Sequence, residues 1–356
     1  MKTALSLLDR LNASVVLAVT PEYRRIRELQ GAEYAGTPTF PAPHPMPMEF
    51  TTVAGVKIRM ARSPREGAPT VILMNPLPQS IMAFAPIWEE LAACCDVYAY
   101  DLPGFGRSEG GAEFMTFEAQ GRFLRDFIDA HGIERPHLVG PDIGMSAALH
   151  YATNFPNDIA SLIIGDGPGV APSSNGSVID KIVNSAFWRT VFTVGGAGAF
   201  IAAGNRLCYV DYVPNDDEVA DYLMSYSGRV GTVTKWFKDY PASLATVDPK
   251  LADIEVPTLV FWGADDALLL PDNAQRLHER IGGSTLHVFE HCGHYSYQDQ
   301  HTEFAGESPQ RSRGEPNGPG PPNDRHALAR IRGVGRPGEK TVRARQRASR
   351  ARRRSR

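Results

Sequence analysis

The chain has 356 residues, 42% of them hydrophobic and 22% charged, with a formal net charge of −3. That sum hides a split: residues 305–356 hold 14 Arg and 1 Lys against 4 acidic residues, a net of +11, so residues 1–304 carry −14. The body is long enough for a sizeable core, its four cysteines make neither a disulfide framework nor a CxxC metal spacing, and no apolar run reaches the ~18 residues of a membrane span.

Residues 1–48 read as an N-terminal extension of two helical stretches, 5–19 and 22–30, followed by a proline-rich linker over 36–47. The first stretch superficially resembles a signal peptide. Asp9, Arg10 and Asn12 interrupt it, and its longest clean apolar run is too short for one. With reduced cysteines as the default, the expected compartment is the cytoplasm.

From Phe50 a regular alternation begins. Residues 50–53 and 56–60, joined by Ala54 and Gly55, read as a hairpin. A strand over 70–74 precedes an amphipathic helix over 81–93. A strand over 97–100 precedes a helix over 117–130, closed by Gly132. A strand over 137–139 leads into a helix over 145–154, and a further strand spans 159–164. Strands alternating with helices of this length predict βαβ units and a mostly parallel sheet buried on both faces. Residues 168–250 break the alternation with helical, aromatic sequence (178–193, 217–227, 232–238), and strand pattern returns at 258–262 and 285–289 around a helix at 273–281. The expected organisation is a core of residues 49–167 and 251–304, an inserted helical lid at 168–250, and a basic tail at 305–356. The tail has no aromatic residue and is rich in Pro and Gly, so it is expected to be disordered.

The densest chemical signal runs from His137 to Ser146. A β-rich run ends at Gly140, Pro141, Asp142, Ile143 and Gly144 and passes directly into a helix. Glycines two residues either side of an acidic residue suit a sharp strand-to-helix turn that presents Asp142 as a nucleophile. An Asp at a helix start is also an ordinary cap. Three further features bear on the choice: Asp101 to Ser108 (DLPGFGRS) after a strand, Gly263 to Asp266 (GADD) after a late strand, and Gly293-His294 after the last strand. The order nucleophile, acid, histidine is that of one large hydrolase fold.

On these residues, the stretch from about 50 to 300 resembles the α/β-hydrolase superfamily, within it the Asp-nucleophile branch of epoxide hydrolases and haloalkane dehalogenases. The resemblance implies an α/β-hydrolase fold, a mostly parallel sheet flanked by helices with an inserted helical lid. It implies Asp142 as nucleophile, Asp266 as the acid orienting the histidine, and His294 as general base, with Asp166 a second candidate for the acid. Asp265 then reads as a solvated neighbour and His291 as a surface residue. The oxyanion hole would use the backbone N–H groups of Ile143 and Leu77. The loop of Leu77 departs from the family, reading Asn75-Pro-Leu-Pro78 where His-Gly-x-Pro is usual. No cofactor and no metal are expected; His291, Cys292 and His294 lack a sensible fourth ligand.

A small apolar organic substrate is expected. Halide release is disfavoured by Ile143, where dehalogenases carry Trp, and by Leu77, where they often carry Asn. Epoxide hydrolases use lid tyrosines as proton donors. Lys235-Trp236-Phe237-Lys238 resembles their Trp-Tyr-Arg segment with Phe237 in place of Tyr, so Trp236, Phe237, Tyr209 and Tyr212 are candidate substrate contacts, with Tyr222, Tyr226 and Tyr240 further lid tyrosines. The small apolar stretch 194–204 reads as a flexible lid element or a tightly packed helix. The alternatives to epoxide hydrolysis are a dehalogenase-like hydrolase and a catalytically impaired scaffold, because the expected closing helix starts at Thr302 and gives way to Arg/Pro/Gly sequence. That tail reads as an adventitious terminus; the acidic body offers no second basic element to form a nucleic-acid groove, so nucleic acid is not an expected partner.

Overall fold

A computed structural model describes residues 4–31, 37–41, 46–173 and 176–306. The tail beyond Gly306 and parts of the proline-rich linker lie outside the described residues.

Among the described residues, eight strands form one sheet: β1 (Met48–Val53), β2 (Val56–Ser63), β3 (Thr70–Met74), β4 (Asp96–Tyr100), β5 (His137–Pro141), β6 (Ser161–Gly165), β7 (Thr258–Gly263) and β8 (Thr285–Phe289). Their spatial order is β1-β2-β4-β3-β5-β6-β7-β8. The first two pairings, β1 with β2 and β2 with β4, are antiparallel, and the rest are parallel. Every residue of β5, β6 and β7 is buried, as helices on both faces require.

The order reverses at β3, which has β4 on one side and β5 on the other. Connections leaving neighbouring strands in opposite directions open a crevice at their carboxyl ends. Register aligns those ends: Pro141 pairs with Gly165, and Gly263 with Phe289. The loops carrying Leu77, Asp142, Asp166, Asp266 and His294 therefore leave the sheet along one edge.

The helices are α1 (Leu7–Leu17), α2 (Tyr23–Gln30), α3 (Ala85–Ala92), α4 (Phe117–Ala130), α5 (Gly144–Asn154), α6 (Val178–Asn184), α7 (Ala186–Leu207), α8 (Asp216–Tyr226), α9 (Val230–Val247), α10 (Asp272–Arg280), α11 (Ser296–Asp299) and α12 (His301–Ala305). Four of them, α6 to α9, lie between β6 and β7. The helix expected over 178–193 is divided at Ser185, whose hydroxyl accepts the Trp188 N–H at the start of α7. The stretch 194–204 proves to be the second half of α7, kinked at Gly196 with φ of 72°. By length and composition α7 would suffice to cross a membrane; here it packs against α1, α8 and α9.

The N-terminal extension is part of this packing. Ser6 and Asp9 cap α1 reciprocally. Small residues of α7 let α1 approach closely: Ala13 packs on Ala202 and Ala203, and a Cβ at Gly198 would stand 2.1 Å from the Asp9 carboxylate. Arg206 of α7 donates to the Ser14 hydroxyl (3.0 Å) and to the Tyr23 hydroxyl, and Gln30 donates to the Tyr209 carbonyl (2.8 Å). At the other end of the described residues, Phe304 of α12 is buried against Phe261 and Phe289.

Candidate active site

Asp142 follows β5 with φ of 47°, a left-handed conformation unusual for a residue with a side chain. The turn needs both flanking glycines. A Cβ at Gly144 would lie 2.9 Å from the Met74 carbonyl, and one at Gly140 2.7 Å from the Gly144 carbonyl. The N–H of Leu77 donates to Asp142 Oδ2 at 2.5 Å, so the loop after β3 already holds a donor on the carboxylate. Ile143, directly behind it, is the N-cap of α5.

His294 is 1% exposed. Its Nδ1 lies 2.8 Å from Asp266 Oδ2 and its Nε2 3.6 Å from Asp142 Oδ1. Asp266 is fixed in turn by the N–H groups of Leu268 (2.8 Å) and Leu269 (3.0 Å) on its other oxygen. Burial lowers the pKa of the imidazole, but the carboxylates of Asp266 and Asp142 on its two sides outweigh it and raise the pKa well above the usual histidine value.

Asp166 sits beside this pair without touching the imidazole nitrogens. It accepts the N–H groups of Gly263 (2.9 Å) and Ser296 (3.2 Å). Burial first, and the charge of Asp266 second, push its carboxyl well above the usual range, which favours its protonated form. The geometry thus brings together Asp142, Asp266 and His294 and gives Asp166 a scaffolding position between β7 and α11. Asp265 departs from expectation: it is buried, and its carboxylate pairs with Arg25 of α2. His291 is half exposed and faces Asp211 at 3.1 Å.

A largely apolar cavity opens over Asp142 and His294. Trp236 and Phe237 line it, as expected. Tyr209 and Tyr212 do not. They are drawn into a buried polar cluster instead, where the Tyr209 hydroxyl donates to Gln298 (2.8 Å) and the Tyr212 hydroxyl to Glu218 (2.8 Å). Tyr222 and Tyr226 also lie off the lining, the latter donating to the Gln79 carbonyl at 2.6 Å. The two tyrosines on the lining are Tyr240, whose hydroxyl accepts from Ser173 (3.1 Å), and Tyr295, whose hydroxyl points to the Leu77 carbonyl (3.4 Å).

Several site residues escaped the sequence. Tyr295 was marked only by following His294. The backbone of His294 is anchored by the Cys208 carbonyl (2.8 Å), at the end of α7. Asp299 binds the N–H groups of Gly293, Val210 and Tyr212, each at 2.8 Å, and so ties the histidine loop to the inserted segment. Burial raises its carboxyl to about 6 despite those bonds. Val16 of α1 reaches the cavity wall from the far end of the sequence. Among the described residues no cluster of His, Cys, Asp and Glu is arranged to hold a metal.

The chain is similar to 2-hydroxy-6-oxo-6-phenylhexa-2,4-dienoate hydrolase of Comamonas testosteroni, 26% identical over 57% of this chain and 72% of that protein. It is also 26% identical to a 2-hydroxy-6-oxononadienedioate/2-hydroxy-6-oxononatrienedioate hydrolase of Pseudomonas putida, over 67% of this chain and 85% of that one. In fold it is similar to a loop variant of a haloalkane dehalogenase from Bradyrhizobium elkanii (TM-score 0.63, 20% identity, 84% of this chain and 99% of that one). It is likewise similar to the epoxide hydrolase CorEH (TM-score 0.60, 21% identity, 72% and 94%). The family model described as alpha/beta hydrolase fold matches residues 69–300. With the sheet order, the turn at Asp142 and this match agreeing, the chain belongs to the α/β-hydrolase family.

Proposed function

We propose that this hydrolase acts through a covalent alkyl ester on Asp142 and that its substrates are epoxides. The observation that carries the reading is the carboxylate itself, held at the strand-to-helix turn on the floor of an apolar cavity, between the Leu77 N–H and His294. An ionised carboxylate needs no base to attack an sp³ carbon. The C–O bond of the epoxide breaks as the ester bond forms. The developing alkoxide takes a proton from Tyr240 or Tyr295, the tyrosines on the cavity lining, and the imidazolium of His294 makes good that proton.

Esterification removes the Asp142 charge, so the imidazole loses one of the two carboxylates that raise its pKa and is freed to act as a base. It then takes a proton from water while the resulting hydroxide adds to the ester carbonyl. The Leu77 and Ile143 N–H groups would stabilise the tetrahedral oxyanion, and Asp266 would orient and stabilise the imidazolium. Collapse releases the diol and returns Asp142 as a carboxylate beside the imidazolium. No step calls on a cofactor. None of the four cysteines is in a disulfide, which fits a cytoplasmic setting as part of the proposal.

The substrates of the named relatives are not carried over. A dienoate brings a carboxylate, and among the described residues the cavity lining contains no Lys or Arg to pair with it. Halide release is the second reading; it lacks an indole N–H directly after the nucleophile, where Ile143 stands. The test is to incubate the full chain and its His294→Gln variant with epoxide and haloalkane panels and read intact mass. The variant is expected to accumulate an adduct that maps to Asp142, with Asp142→Ala as the blank. Diol formation identifies the epoxide reading and halide release the second. Absence of both adduct and turnover across the panels would leave an inactive scaffold.

A further inference from the structure

A second apolar hollow lies outside the catalytic cavity, in the groove between α1 and α7. Val15 of α1 and Phe187, Thr190 and Val194 of α7 are among its walls. Three side chains, Val16, Phe192 and Phe200, line both this groove and the cavity over Asp142. They are the partition between them. The two rings meet edge to face with centroids 5.6 Å apart. They stand on either side of the kink at Gly196, where the helical backbone is already broken.

The outer rim is unusually apolar for a surface. Val15 is 56% exposed, Phe187 68% and Val194 81%. The cavity over Asp142, the three apolar side chains shared by both linings and the apolar outer groove thus lie in sequence from the site to the surface.

We propose that the α1–α7 groove is a distal binding subsite for the tail of an elongated apolar substrate, gated by Val16, Phe192 and Phe200. The reacting end sits over Asp142 and the tail passes the gate into the groove. This gives the N-terminal extension a specificity role, since α1 supplies one wall of the groove and one gate residue. The substrate class rests on the hydrolase reading above; the groove and its gate do not.

The test separates the two. On the full chain carrying Asp142→Ala, displacement of the fluorophore N-phenyl-1-naphthylamine measures affinity for 1,2-epoxyhexane and for 1,2-epoxydodecane. The longer ligand is expected to bind at least about tenfold more tightly, because its added methylenes leave water for the groove. Thr190→Trp, which fills the groove, and Val194→Glu, which charges its rim, are expected to cut that length advantage to about twofold or less. Both positions are exposed, so the fold should tolerate them. An unchanged length advantage in both variants, or none in the parent, overturns the proposal. Turnover is read separately: an inactive chain that keeps the length effect refutes the ester mechanism and leaves the subsite standing.

Discussion

Nε2 of His294 lies 3.6 Å from Oδ1 of Asp142 while its Nδ1 lies 2.8 Å from Asp266. One buried imidazole thus sits between two carboxylates, and its protonation is tied to the charge of the proposed nucleophile.

Neutralising Asp142 should therefore lower the His294 pKa. Asp142→Asn is expected to move the imidazole titration, followed by NMR of the ring protons, towards acid pH. The stability consequence has a fixed sign. An imidazole raised in the folded state stabilises the fold below its unfolded pKa, and that contribution is lost as pH rises through the folded pKa. Asp142→Asn should shift this loss to lower pH in thermal unfolding. An unmoved titration would mean that the two groups do not interact.

Asp266→Asn and Asp166→Asn should differ sharply. The former takes the charge from the imidazole and presents an amide to Nδ1, so kcat on any turned-over epoxide should fall by about 10⁴-fold, the scale known for the equivalent change in a serine protease triad. The latter replaces a carboxyl whose protonated form is already favoured by burial. Its kcat should stay within about tenfold. A reversed ranking would make Asp166 the acid.

Arg59 holds two buried carboxylates, Asp101 of the DLPGFGRS segment at 2.7 Å and Asp221 of α8 at 2.5 Å. Arg59→Met leaves Asp101 without an ion pair in the interior and Asp221 with Arg107 alone, at 3.8 Å. A loss of about 3–5 kcal/mol is expected in urea unfolding. Adding Asp101→Asn and Asp221→Asn to Arg59→Met should recover part of it, since the orphaned charges are then gone.

Glu218 accepts the hydroxyl of Tyr212 (2.8 Å), the amide of Gln298 (2.9 Å) and the Asn215 N–H (2.8 Å). Burial outweighs these bonds and raises its pKa from 4.5 to about 7. Between those values the folded state binds a proton that the unfolded state has released. Glu218 therefore makes stability fall as pH rises from 4.5 to about 7. Melting temperatures across that window should decline less steeply in Glu218→Gln than in the parent chain.

Local sequence was enough for the sheet and for the turn at Asp142. Strand residues 137–141 and 258–263 are apolar on both faces, and two glycines around an acidic residue leave few conformations open. The resemblance to the family, read on the residues after Gly263 and Gly293, ranked Asp266 and His294, and the register brings both strand ends into line. The lid tyrosines were different. Each is aromatic in a helical segment, and nothing local separates Tyr209, drawn to Gln298 by a hydrogen bond, from Tyr240 on the cavity wall.

By itself, then, the sequence determined the alternation of strands and helices, the strained turn and the chemistry available at each strand end, since these follow from backbone sterics and short-range periodicity. Only the tertiary structure decided which side chains share a cavity. Val16, Tyr295, Asp299 and the pairing of Arg25 with Asp265 join segments far apart in the chain, and their positions depend on how those segments pack rather than on short-range periodicity.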